Sequence, residues 1–234
     1  MVKNYLVSAV RPIRNGWMNL ASTELYKDYQ TMYDISLASY RKFVVEPFEA
    51  ILWDNPVTDN EEYTKLNWKV IKQLWHSEPC NIFWAGADTL MIAPTELFGN
   101  RFVDYRLFNY TDPKENNGSA YYNNDIQYFP HTMKQHVWDL GDELWSQCNT
   151  HPERNWGFDQ IRNNAMFWSQ DILDPHHPEM AYRAMNLRSL DPHIINWHNE
   201  WNGITIDKAH ILHFHASRGS RAVINLMQTV SNKL

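Results

Sequence analysis

The first hundred residues alternate short apolar runs with segments of helical periodicity, and this alternation restricts the folds open to the chain. The apolar runs cover residues 5–10, 49–54 and 81–88. Between them, apolar side chains recur at helical spacing after residues 22–24, and again after residues 58–61, which match a capping box. Strands that alternate with helices favour parallel strands joined by right-handed crossovers. The sequence therefore predicts an α/β fold with a mixed, mostly parallel sheet flanked by helices.

Beyond residue 94 the periodicity is weaker, yet several further elements can be assigned. We predict strands at Ile126–Phe129 and at residues 211–214, and helices over residues 137–148, 158–170 and 223–230. The turn-rich residues 111–118 are the best candidate for a mobile flap. Because no stretch has the composition of a linker, we expect a single domain over residues 1–234.

The composition and charge of the chain narrow the possible classes of protein. The 234 residues carry a net charge of −6 without a block of lysine or arginine, which argues against a nucleic-acid partner. No segment approaches the ~20 apolar residues that a membrane span requires. The two cysteines, Cys80 and Cys148, are far apart, which is typical of reduced thiols. We therefore expect a cytoplasmic protein with no membrane span.

The apolar run at residues 81–88 ends on a carboxylate, Asp88, and a second short apolar run follows it. A lone aspartate at the mouth of a buried strand is costly to desolvate unless it meets a cation or hydrogen-bond donors. In α/β sheets, ligands also collect at the carboxyl ends of the strands. These considerations predict that Asp88 holds a divalent metal ion beside a phosphate group.

Four patches in the chain match, in order, the motifs of one enzyme class. They are residues 64–75 with 80–98, Tyr121-Tyr122-Asn123, Gly157-Phe158-Asp159-Gln160 with Asn163 and Asn164, and Ile211-Leu212-His213-Phe214. Together they resemble the core of the GT-A glycosyltransferases and are most similar to the glycogenin-like retaining branch. The resemblance covers roughly residues 4–222, and the order of the four patches makes it specific.

This resemblance implies a fold, an activity and a cofactor. The fold would be a single Rossmann-like GT-A domain, with a nucleotide-binding half at about residues 1–100 and an acceptor half at about residues 101–222. The activity would be transfer of a hexose, with retention, from a nucleotide-diphosphate donor such as a UDP-sugar to a glycan or protein acceptor. Mn²⁺ or Mg²⁺ would stabilise the charge that develops on the departing diphosphate.

The resemblance also assigns Asp88 and His213 as the metal ligands. Carboxylate oxygen and imidazole nitrogen both suit Mn²⁺. Two further histidines flank His213, and on a strand His215 would share its face whereas His210 would not. His215 is therefore the reserve ligand. The alternative for His213 is a core histidine that is hydrogen-bonded inside a strand.

The remaining site residues come partly from the matching motifs and partly from their positions. Arg218 or Arg221 would supply to the diphosphate the positive charge that the late motif lacks here. The predicted catalytic group comprises Asp159 and Gln160, which would grip the donor sugar, and Asp125 on the acceptor side. The predicted donor-binding residues, besides Asp88, are Val7, Ser8, Ala9, Asp54, Lys65, Ala87, Asn123, Arg218 and Arg221. For Lys65, a solvated position on a helix face is an equally good interpretation.

The chain departs from the family pattern at several positions. Ala216 replaces a glycine of the late motif, Trp156 replaces a carboxylate three residues before Asp159, and Gly86 stands where the first carboxylate of an Asp-x-Asp motif is usual. Weaker metal affinity, or metal binding mainly together with the nucleotide, is the expected consequence. Gly86 and Trp156 together also support a second hypothesis, a non-catalytic nucleotide-sugar or carbohydrate-binding protein on the same fold. A third hypothesis, a metal hydrolase built on the 11 histidines, is weaker because no HExxH or comparable spacing occurs.

Overall fold

The computed structural model describes residues 2–10, 23–53, 66–98, 102–106, 121–122, 126–134, 182–186, 210–214 and 220–234. Within these residues the helices are α1 (Thr23–Phe43), α2 (Leu66–Ser77) and α3 (Ser220–Ser231), with a short 3-10 helix at His131–Met133. The strands are β1 (Lys3–Ala9), β2 (Glu49–Trp53), β3 (Cys80–Ala85), β4 (Thr89–Met91), β5 (Phe102–Arg106), β6 (Tyr121–Tyr122), β7 (Ile126–Phe129), β8 (Tyr182–Asn186) and β9 (Ile211–His213). The chain is therefore of mixed α/β composition.

A four-stranded sheet is built from the first three strands and β7. Its order is β2-β1-β3-β7, with β1 parallel to both of its neighbours and β7 antiparallel to β3. Ala9 pairs with Trp53, and Val7 pairs with Trp84, so the carboxyl ends of the three parallel strands lie at one edge. The mixed, mostly parallel sheet predicted from the alternation of strands and helices is confirmed.

A second, five-stranded sheet has the order β4-β9-β8-β5-β6. The inner strands β9, β8 and β5 are parallel to one another, whereas β4 and β6 pair antiparallel at the two edges. Only residues 86–88 separate β3 from β4, so the chain passes there from the first sheet to the second. This second sheet was not predicted from the sequence patterns.

Helix α1 packs against both α3 and β4, and an apolar cluster fills the space between these elements. The cluster contains Met32 and Tyr33 from α1, Leu90 from β4, Leu212 from β9, and Val223 and Met227 from α3. Full burial of each aliphatic side chain stabilises the fold by roughly 1.5–3 kcal/mol. The core thus joins the strand that follows Asp88 to the strand that carries His213.

Most of the predicted elements that fall on described residues are confirmed. The helix predicted from residues 22–24 extends over Thr23–Phe43, and the next helix and the terminal helix cover Leu66–Ser77 and Ser220–Ser231. The strands predicted at Ile126–Phe129 and 211–214 are also present, the latter over Ile211–His213. The predicted helices 137–148 and 158–170 and the predicted flap 111–118 lie outside the described residues.

The membrane prediction concerns the length and polarity of the helices. Of the helices in the part of the chain that the structure describes, none is both long enough and apolar enough to cross a membrane.

Candidate functional site

The carboxyl edge of the parallel strands brings several predicted donor-binding residues together. Val7, Ser8 and Ala9 end β1, and the backbone N–H of Val10 continues the pairing by donating to the carbonyl of Trp53 at 3.1 Å. Ala87 and Asp88 follow the end of β3 at the same edge. Val7 and Ser8 are buried whereas Ala9 is half-buried, so Ala9 is the strand residue that a ligand at this edge reaches most easily.

Asp88 and His213, which the resemblance assigns as co-ligands, lie close to each other in this region. Nε2 of His213 lies 3.6 Å from Oδ1 of Asp88. Asp88 is 9% exposed and His213 is 0% exposed, so the contact is made in a largely desolvated environment. A separation of 3.6 Å is longer than an N–H···O hydrogen bond, which is about 2.7–3.2 Å. The pair is close enough for ion pairing or for sharing a cation.

The backbone pairing of β4 with β9 fixes the positions of these two residues. Thr89 pairs with His213, and the N–H of Phe214 donates to the carbonyl of Asp88 at 2.9 Å. At the other end of the ladder the N–H of Ile92 donates to the carbonyl of His210 at 2.9 Å. Two residues that are distant in the sequence are therefore held side by side by antiparallel hydrogen bonds.

The donor atoms of the pair fit a hard divalent cation. Nitrogen and oxygen ligands about 2.1 Å from one metal ion lie about 3.0–3.4 Å apart in common coordination geometries. The observed separation of 3.6 Å is within a small side-chain adjustment of that range. Among the residues described, no group of three or more histidine, cysteine, aspartate or glutamate side chains is placed to hold a metal ion. Further ligands would have to come from a bound phosphate or from other segments of the chain.

His210 has a different environment from His213. Its Nδ1 lies 2.8 Å from Oγ1 of Thr95, and that hydroxyl donates to the carbonyl of Ala93 at 2.7 Å. Because the hydroxyl has one proton, the imidazole Nδ1–H must donate to Thr95. Burial lowers the pKa of His210, which favours the neutral ring. His210 therefore links the start of β9 to the segment after β4.

Arg221, a predicted donor-binding residue, contacts α1. Its Nε lies 2.9 Å from Oδ1 of Asp28, and the hydroxyl of Ser220 donates to Oδ2 of the same carboxylate at 2.5 Å. The Asp28 side chain is 9% exposed whereas that of Arg221 is 77% exposed. The structure thus gives Arg221 a role in joining α3 to α1, and its assignment to the donor remains a prediction.

The hydroxyl groups that support the site were missed in the sequence analysis. Thr89 lies next to Asp88 and is completely buried. Its Oγ1 lies 3.3 Å from the hydroxyl of Ser36 and 3.2 Å from the hydroxyl of Tyr40, both on α1. Ser39 on the same helix accepts the N–H of Met91 at 2.9 Å. A signal was present, because Ser36, Ser39 and Tyr40 have the spacing of one helix face.

Several predicted site residues fall outside the described residues, so the structure does not place them. They are Asp54, Lys65, Asn123, Asp125, Asp159, Gln160, His215 and Arg218. Gly86 is described, and its carbonyl accepts the hydroxyl proton of Thr89 at 2.7 Å. The position that usually carries a carboxylate thus contributes a backbone contact to the turn before Asp88.

Comparison with known proteins yields no relative from which a function can be transferred. No protein-family model matches the chain, and no curated protein matches it. The resemblance to GT-A glycosyltransferases therefore depends on the quoted sequence motifs alone.

Proposed function

We propose that the protein is a metal-dependent retaining glycosyltransferase that transfers a hexose from a UDP-sugar to a glycan or protein acceptor. The observation that supports this proposal is the approach of Asp88 and His213 to 3.6 Å beside the carboxyl ends of three parallel strands. Open α/β sheets bind their ligands at this edge. The motif resemblance supplies the class of reaction, and the proposed compartment is the cytoplasm.

In this proposal Asp88 and His213 hold Mn²⁺ or Mg²⁺. A bound cation supplies Lewis-acid stabilisation of the charge on the diphosphate. The chain's own contribution is to desolvate the two ligands and to place them next to each other through the β4–β9 ladder. Preorganised groups of this kind need little rearrangement during the reaction, and they act more strongly where water is excluded.

The roles of the sugar-binding and acceptor-side residues are part of the same proposal. Asp159 and Gln160 would bind the donor sugar, and Asp125 would lie near the acceptor. Of the donor-binding residues, Ala9 at the end of β1 and Ala87 before Asp88 lie at the sheet edge, where their backbone groups can meet the nucleotide. No strong base is assigned, because in retaining transfer the departing phosphate can itself take the acceptor proton.

The test is a panel of nucleotide-sugars scored for Mn²⁺-dependent release of the nucleoside diphosphate. We expect slow release from one or more UDP-sugars, and a loss of at least about 100-fold in Asp88→Asn because a direct metal ligand is removed. The matched control is Asp34→Asn, which makes the same change at an exposed position on α1. Unchanged turnover in Asp88→Asn would contradict the assignment of Asp88 as a metal ligand.

The second candidate is a non-catalytic protein that binds nucleotide-sugars on the same fold. It is favoured by Gly86, which brings no side-chain carboxylate to a position where the family pattern has one. This candidate predicts that UDP with Mn²⁺ raises the melting temperature while no nucleotide-sugar of the panel is hydrolysed. AMP serves as the control nucleotide in the same measurement.

A further inference from the structure

A row of buried hydroxyl groups on α1 lies against the segment that carries Asp88. Ser36, Ser39 and Tyr40 are at most 4% exposed, and all three bond within this part of the molecule. Buried polar groups are stabilising only when their hydrogen bonds are made, and a network that is fully satisfied specifies one arrangement. Because the network lies beside Asp88, the arrangement that it specifies includes the turn that carries this carboxylate.

The directions of the hydrogen bonds at Thr89 follow from its chemistry. A threonine hydroxyl has one proton to donate and two lone pairs that accept. The carbonyl of Gly86 can only accept, so the bond of 2.7 Å uses the proton of Thr89. The contacts of 3.3 Å with Ser36 and 3.2 Å with Tyr40 are therefore donated to Thr89. The hydroxyl of Thr89 thus has its full set of hydrogen bonds.

These hydrogen bonds link the short turn that contains Asp88 to α1. The bond from Thr89 to Gly86 closes the turn of residues 86–89, whose third residue is Asp88. From the other side, the N–H of Phe214 donates to the carbonyl of Asp88. The backbone before and after the carboxylate is consequently fixed both to α1 and to β9.

We infer that Thr89, supported by Ser36 and Tyr40, is a positioning residue that sets the Asp88 carboxylate relative to His213. The strand itself does not need the hydroxyl, because valine has the same shape and a comparable preference for strands. A hydroxyl that is 0% exposed also has no role in hydration of the surface. The expected effect of Thr89 on metal binding rests on the proposed function. Its expected effect on the geometry of the Asp88–His213 pair does not.

Ser39 offers a matched control on the same helix face. Its hydroxyl donates to the carbonyl of Ser36 at 2.6 Å and accepts the N–H of Met91 at 2.9 Å, beyond the turn. Ser39→Ala therefore removes a buried hydroxyl that holds α1 to β4 without removing a bond to Thr89. It is expected to destabilise the protein as Thr89→Val does, while leaving the turn before Asp88 intact.

The experiment compares Thr89→Val, Thr89→Ser and Ser39→Ala by two measurements. The first is the imidazole ¹H–¹⁵N spectrum of the metal-free protein at one fixed pH, with the signals of His213 assigned by their loss in His213→Gln. The second is the Mn²⁺ concentration that half-saturates binding in the presence of UDP. Thr89→Val is expected to shift the His213 signals and to raise the half-saturating Mn²⁺ concentration about tenfold. Thr89→Ser should restore both.

The two measurements separate this inference from the proposed function. Unchanged His213 signals in Thr89→Val, or equal shifts in Ser39→Ala, would overturn the positioning role. Should the wild-type protein bind no Mn²⁺ with UDP, the proposed function fails, while the imidazole comparison still decides the role of Thr89. If Thr89→Val does not fold, Tyr40→Phe provides a second test, because it removes one hydrogen-bond donor to Thr89 and keeps the aromatic ring. A smaller shift of the His213 signals is then expected. No shift in that variant would overturn the inference.

Discussion

The surroundings of each carboxylate decide what it does in this molecule, and Glu78 and Asp88 show two different outcomes. Glu78 accepts the hydroxyl proton of Tyr5, and its other oxygen lies 3.0 Å from Nζ of Lys3. These contacts lower the pKa of Glu78, the bond from Tyr5 first and that from Lys3 second. Asp88 instead lies in a desolvated position against an imidazole. Glu78 is thus paired with Tyr5 and Lys3, whereas Asp88 lies against His213 in a largely desolvated position.

Glu78→Gln is expected to change how stability depends on pH. The folded-state pKa of Glu78 lies below its usual value of 4.5, so the unfolded chain binds the proton more readily. The stabilisation is therefore complete above about pH 4.5 and is lost as the pH falls through the folded-state pKa. Urea unfolding between about pH 6 and about pH 3 should show a smaller loss of stability in Glu78→Gln than in the wild-type protein.

Glu49→Gln is the control for this prediction. Glu49 lies 3.9 Å from Nζ of the same lysine, but it is more exposed and farther away than Glu78. Its substitution should leave the dependence of stability on pH close to that of the wild-type protein. Equal effects of the two substitutions would contradict the assignment of the low pKa to the Tyr5–Glu78 contact.

At the residue scale, the sequence identified the two ends of the Asp88–His213 contact but not its support. Asp88 was predicted because a carboxylate at the end of an apolar strand needs a partner, and His213 because its motif matches. The contribution of Thr89 was not predicted, because a threonine after a turn is common. Its role depends on α1 packing against β4, which a single sequence does not reveal.

At the scale of elements, α1 joins the strand that follows Asp88 to the terminal helix α3. It contacts β4 through hydroxyl groups and α3 through the carboxylate of Asp28. Helical periodicity was sufficient to predict α1, α2 and α3, because each buries one apolar face. The second sheet was not predicted, because it pairs short strands that are far apart in the chain and whose partners local patterns do not specify.

Asp28→Asn is expected to loosen the contact between α1 and α3. The carboxylate is nearly buried, lies 2.9 Å from Nε of Arg221 and accepts the hydroxyl of Ser220 at 2.5 Å. Loss of the charge weakens both contacts and should lower the free energy of unfolding by about 1–3 kcal/mol. Chemical denaturation measures this change. Asp34→Asn, on the exposed side of α1, should change stability by less than about 0.5 kcal/mol. Similar effects in the two variants would contradict the account.

At the scale of the whole molecule, the candidate site lies where the chain leaves one sheet and enters the other. β3 ends the parallel part of the first sheet, residues 86–88 form the connection, and β4 joins β9 at the edge of the second sheet. The α/β class and the parallel strands followed from the alternation of elements in the first hundred residues. The junction did not, since it depends on pairing between residues near 90 and near 212.

Asp88 and His213 are proposed to hold a divalent cation together with a nucleoside diphosphate. The most direct measurement is calorimetric titration of Mn²⁺ into the protein with UDP, for the wild-type chain, Asp88→Asn, His213→Gln and the double variant. We expect about one Mn²⁺ per wild-type chain, at least about tenfold weaker binding in each single variant, and little further loss in the double variant. No saturable Mn²⁺ binding by the wild-type chain, or unchanged affinity in both single variants that remain folded, would contradict the claim.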